Sequence, residues 1–143
     1  RFTSSRWKKP HPYRPMKLLL DSSTVVWFLE GAPQLSETAA GLIESLESHS
    51  MVSSVTPWEL AVKVGLGKLR LPYSLGEDFD ATLESLGFEL LPLSRAALER
   101  TARLPDYHRD PFDRLLIAEA LEHSATLVSR NEIFDAYGVK RVW

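Results

Sequence analysis

The chain has 143 residues, of which 44% are hydrophobic and 25% charged, with no cysteine. That length and apolar content suit one globular domain with its own core, and the lack of cysteine excludes disulfides, zinc–thiolate sites and thiol nucleophiles while fitting a reducing compartment. No apolar run approaches the roughly 20 residues of a membrane span, so the cytoplasm is the expected setting and a membrane is not an expected partner.

The formal net charge of −2 conceals a division near residue 15. Five of the 17 Lys and Arg residues fall in the first fifteen positions, which hold no acid, leaving 12 bases against 19 acids in the rest, a net of −7. Three prolines and no apolar periodicity argue against helix or strand in that stretch. Residues 1–15 are therefore expected to be a basic extension outside the fold, with Met16 as the original start and one domain over 16–143. The sharper alternative is a basic arm that touches nucleic acid or lies across an acidic cleft.

From Met16 onward strand and helix patterns alternate. Residues 17–21 form a short buried strand, and 24–30 a helix closed by Gly31 and Pro33. Ser36 caps an amphipathic helix running to about residue 48, 51–55 is the second strand, and 57–66 is a helix broken at Gly65 and Gly67. Residues 75–86 read as a helix ended by Gly87, 88–91 as a strand, and Ser94 caps a helix to about residue 104. The clearest helix is 111–123, where Phe112, Leu115, Leu116, Ala118 and Leu121 form one apolar stripe. Strands at 125–129 and 139–142 complete the chain. Such alternation implies an α/β fold, a three-layer α/β/α sandwich with a mainly parallel sheet.

Carboxylates recur where such a sheet places its ligand sites, beyond the carboxyl ends of the strands. Asp21 ends KLLLD, Glu59 lies in SSVTPWELAVK, and Asp110 and Asp113 open the helix in HRDPFDRLLIAEA. Each acid also has a structural reading. Thr56-Pro57-Trp58-Glu59 fits a capping box with Thr56 as N-cap. Asp110 fits an N-cap, Asp113 an acid favoured by the helix dipole, and Asp21 a cap for the turn at Ser22 and Ser23. Joint occurrence on one sheet edge favours chemistry instead: gathered carboxylates repel unless a hard cation neutralises them, which points to Mg²⁺ or Mn²⁺ and phosphodiester hydrolysis.

The remaining polar and aromatic residues are weighed against that site. Arg109, Arg114, Arg130 and Lys63 are the candidate contacts to a nucleic-acid backbone. His108 has a functional reading, orienting a phosphate or donating a proton, but beside Arg109 it reads rather as a solvated loop residue. Trp27, among Val25, Val26, Phe28 and Leu29, reads as core or dimer packing rather than a base platform, and Trp58 as a brace for the helix it opens.

The segments LLLDSSTVVWFL, SSVTPWELAVKVGLGKLRLP, HRDPFDRLLIAEA and TLVSRNEIFDAYGV together resemble the PIN-domain ribonuclease toxins of bacterial toxin–antitoxin modules, the VapC type, over nearly all of 16–143. The resemblance implies a Mg²⁺- or Mn²⁺-dependent endoribonuclease in the cytoplasm, usually a homodimer, acting on RNA and silenced by a cognate antitoxin. Asp21, Glu59 and Asp113 match the first three acids of that family and metal site, with Asp110 assisting. The fourth position departs: the family usually has aspartate in a segment like TRDEIF, whereas this chain has Asn131, which offers an oxygen without charge. Glu132 and Asp135 are the nearest substitutes. The alternative function is accordingly a PIN fold that binds RNA or an antitoxin without efficient cleavage. A haloacid-dehalogenase-like phosphatase is disfavoured, because it needs a second aspartate where this chain has Ser23.

Overall fold

A computed structural model describes residues 15–143. The expected basic extension therefore lies, Pro15 apart, outside the described residues. Leu18, Leu19 and Leu20 are all fully buried, as happens when a strand is covered on both faces. They belong to β1 (Met16–Leu20), which is followed by α1 (Ser22–Glu30), α2 (Glu37–Glu44), β2 (Ser48–Ser53), α3 (Thr56–Gly65) and α4 (Glu77–Ser85). The chain continues through β3 (Glu89–Leu91), α5 (Arg95–Arg103), α6 (Pro111–His123), β4 (Thr126–Val128), a 3₁₀ helix (Glu132–Tyr137) and β5 (Arg141–Val142).

The strands form one five-stranded sheet in the order β3-β2-β1-β4-β5, and every neighbouring pair is parallel. The chain steps outward from β1 to β3, then returns to lay β4 against the other side of β1. The order thus reverses between β1 and β4, the point at which open parallel sheets hold ligands.

Side chains alternate across each strand and sort the core into two halves. Leu18, Leu20, Val52 and Val128 pack with Val25, Val26, Ala39, Ile43, Leu60, Phe79 and Leu83 from α1 to α4. On the other face Leu19, Met51, Leu91 and Leu127 pack with Leu116, Ile117, Ala120 and Phe134 from α6 and the 3₁₀ helix, and Ala97 of α5 packs with Leu115 and Ala118 of α6. Helices cover both faces, as the three-layer expectation required.

Several boundaries move, for physical reasons. The helix expected to reach about residue 48 stops at Glu44, because Ser48, His49 and Ser50 pair in register with Met16, Lys17 and Leu18. The ladder outweighs the polar composition of that stretch. At the other end of the sheet the last strand contracts to Arg141–Val142. α1 starts at Ser22 rather than at residue 24, since Asp21 Oδ1 accepts the Thr24 amide at 2.9 Å and caps the helix directly. The capping box at 56–59 does not form: Val55 occupies the cap position, no side chain bonds the helix end, and Thr56 is already helical.

Candidate active cleft

α1, α3 and α6 all begin at the carboxyl edge of the sheet, and the acids sit on or just before their first turns. Asp21 leaves β1, its amide donating to the Val128 carbonyl at 3.3 Å, while Thr24 Oγ1 donates to the same carbonyl at 2.9 Å. These bonds pin the start of α1 to the end of β4. Glu59 is 8% exposed, and with no capping role its Oε2 lies 3.0 Å from Lys63 Nζ one turn along α3. Asp110 is the N-cap of α6, its Oδ1 accepting the amides of Phe112 at 2.9 Å and Asp113 at 3.3 Å. Asp113 Oδ2 lies 2.8 Å from His108 Nε2.

Asp21, Glu59, Asp110, Asp113 and Asn131 line one cleft of about 440 Å³, together with Ser22, Ser23, Trp27, Lys63 and Arg130. The fold therefore brings together the four acids and the asparagine nominated from the sequence. The tightest group is one the sequence reading did not single out: donor atoms of His108, Asp110 and Asp113 lie within 4.8 Å of one another. His108 is thus a partly buried partner of Asp113, not a solvated loop residue.

Burial, and then the charges of Asp110 and Glu59, push the Asp113 carboxyl up to about 6, against the opposing hydrogen bond from His108. A cation in the cleft would relieve that pressure. The cleft's donors are mostly carboxylate and amide oxygens, which suit a hard ion such as Mg²⁺ or Mn²⁺ rather than a soft one.

Asn131 reaches the cleft but has a second task. Its Oδ1 accepts the Ile133 amide at 3.1 Å and caps the 3₁₀ helix, while its own amide donates to Ser129 Oγ at 3.0 Å. Neither expected substitute for the fourth acid is in place. Glu132 is not among the cleft-lining residues, and Asp135 spends both oxygens on the Arg141 guanidinium, which holds its carboxyl below the usual range.

The candidate cations divide. Lys63 and Arg130 line the cleft and Arg109 is exposed, but Arg114 is structural. Its guanidinium donates to the carbonyls of Thr101, Leu104, Pro105 and His108 and to Tyr137 Oη. Tyr137 Oη in turn accepts the amides of Tyr107 and His108 and donates to the Pro105 carbonyl. Together they fasten the loop that carries His108. Trp58 is the expected brace, with its ring edge-to-face on Phe112 at 4.9 Å, linking the starts of α3 and α6.

Glu119 was not nominated from the sequence either. It is 1% exposed and neither oxygen completes a hydrogen bond, although Ser53 is its polar neighbour. Its signal was present: Glu119 falls four residues after Leu115 and three after Leu116, on the apolar face of α6.

Sheet and cleft together define an open parallel α/β domain with an acidic site at its switch point. The PIN-domain family profile matches residues 18–140, and the chain belongs to the PIN-domain family. It is similar in fold to VapBC2 from Rickettsia felis, solved bound to a DNA fragment from its promoter, with a TM-score of 0.66 at 19% identity over 90% of this chain and 99% of that one. FitAcB from Neisseria gonorrhoeae gives a TM-score of 0.61 at 24% identity, covering 88% of this chain and 96% of the other. A toxin–antitoxin complex from Klebsiella pneumoniae gives 0.61 at 20% identity, covering 88% and 96%. No curated protein matches significantly in sequence.

Proposed function

We propose that the protein is the toxin of a toxin–antitoxin pair, an endoribonuclease that works with Mg²⁺ or Mn²⁺ in this cleft. One observation carries the reading: acids from three separate segments, and Asn131 from a fourth, line a single cleft beside Lys63 and Arg130. Membership of the PIN family and the toxin–antitoxin assemblies among its structural neighbours support it. Asp21, Glu59 and Asp113 would hold the ion, with Asp110 and Asn131 beside them. When bound, it supplies charge relief at phosphate oxygens and a more acidic water.

The chain's own residues do the rest. His108 orients Asp113, as hydrogen-bonded neighbours of ligating carboxylates do. Lys63 offsets the buried charge of Glu59. Lys63 and Arg130 attract the RNA backbone to an otherwise acidic surface. Helix caps hold Asp21 and Asp110 in place before any ligand arrives. No helix among the described residues is long and apolar enough to cross a membrane, and the cytoplasm is the proposed location.

Two partners follow. An antitoxin would insert an arginine or lysine toward Asp21 and Asp113, where a bidentate cation meets unneutralised carboxylates. Trp58, Val62 and Leu66 leave an exposed apolar stripe along α3, which suits the antitoxin or a second copy in a homodimer. A second reading, a PIN module that binds RNA or antitoxin without efficient cleavage, is favoured by Asn131, whose oxygen is engaged in a cap.

Calorimetric titration of Mn²⁺ into the native protein, Asp21→Asn and Glu59→Gln tests the metal site. Each variant should bind at least about tenfold more weakly while keeping the native fold, because ligand charge is removed and packing is kept. Unchanged affinity in both variants would overturn the assignment.

A further inference from the structure

We propose that Trp27 and Arg130 form a nucleobase subsite at the rim of the acidic cleft, taking one unpaired base of a single-stranded RNA. The inference rests on the nuclease reading and adds what holds the strand beside its phosphates. Arg130 follows β4, and its guanidinium carbon lies 4.8 Å from the centre of the Trp27 ring. Both residues line the same cleft as Asp21 and Asp113. Trp27 stands one helical turn beyond Ser23, on the cleft side of α1.

The pair is held ready. Trp143 meets the Trp27 ring edge-on at 5.9 Å and 61°, and both indoles pack against the core, so the Trp27 ring is fixed from behind. Arg130 is exposed and forms no ion pair among the described residues; its guanidinium lies over Trp27. An arginine placed only to attract phosphate has no need of an indole beneath it. A guanidinium held over an aromatic ring, by contrast, is preorganised for stacking, and unpaired RNA bases stack on aromatic rings and on arginine planes alike.

The test compares a short single-stranded RNA with the same strand made abasic at one position at a time. Affinities are read by fluorescence anisotropy in Ca²⁺, a hard cation whose loose coordination does not enforce the octahedral geometry of Mg²⁺. The native protein should lose about tenfold in affinity at one abasic position. Arg130→Lys, which keeps the charge on an exposed side chain, should bind the intact strand nearly as weakly as the abasic one. Trp27→Phe, which preserves a ring in the core, should fall between. Equal preference for the intact strand in native and Arg130→Lys proteins would overturn the subsite, as would base-independent binding by the native protein. In either case cleavage in Mn²⁺ would leave the nuclease reading standing, whereas no binding and no cleavage of any RNA would overturn both.

Discussion

Asn131 stands where the sequence resemblance leads one to expect aspartate, and its side chain already caps the 3₁₀ helix through the Ile133 amide. Aspartate caps as well as asparagine, so Asn131→Asp should keep the turn and add one charge to the cleft. Mn²⁺ should then bind more tightly and labelled RNA be cut at least about tenfold faster, a change of about 1.4 kcal/mol in the barrier; equal rates would place Asn131 outside the chemistry. Glu119 makes a prediction about stability. Burial pushes its carboxyl up from 4.5 to about 7, so the folded chain keeps a proton that the unfolded chain releases. Its contribution is fully present below the unfolded value and is lost as pH rises through about 7. Glu119→Gln should therefore raise the melting temperature at about pH 8, by the equivalent of about 3 kcal/mol, and change little near pH 5. A pH-independent effect would refute the buried charge. Without a cation, Asp113 gives the same falling trend between its usual range and about 6, and Mn²⁺ should cancel that share.

Arg114 shows what an element-scale contact does here, since one guanidinium joins the end of α5, the following loop and the 3₁₀ helix. Arg114→Met should cost on the order of 2 kcal/mol in urea unfolding; a loss within experimental error would mean that water replaces those bonds freely. The sequence motif could not reveal this role, because the four acceptors are backbone carbonyls, which every residue type carries. Elements with strong local patterns were readable: the leucine run of β1 and the helix over 111–123 appear where the sequence put them, although α6 is buried continuously over 115–120 rather than along one stripe. Boundaries failed where tertiary pairing decided, as in Ser48–Ser53, whose polar start is strand only because β1 lies alongside. Asp21, Glu59, Asp110 and Asp113 were legible because a carboxylate after a strand or at a helix start is a local signal. His108 was not, since its significance depends on Asp113 reaching it through the fold, whereas Trp27 packs against the core as its apolar neighbours imply.

At the scale of the molecule, strand order is what makes a site of scattered acids. β1 and β4 are neighbours with connections leaving to opposite sides, which opens a crevice above their ends. Asp21 follows one strand and Asn131 the other, while α3 and α6, entering at the same edge, supply Glu59 and Asp113. The acidic body carries a net of −7 over 16–143, so on the proposed reading RNA would be drawn in by local cations and by the ion the cleft would hold rather than by overall charge. The most direct measurement is cleavage of labelled single-stranded RNA by the native protein in Mn²⁺, in EDTA, and by Asp113→Asn in Mn²⁺. Internal cuts should form with Mn²⁺ and vanish both in EDTA and in the variant. Cleavage that persists in EDTA, or that Asp113→Asn leaves undiminished, would contradict a metal-dependent nuclease in this cleft.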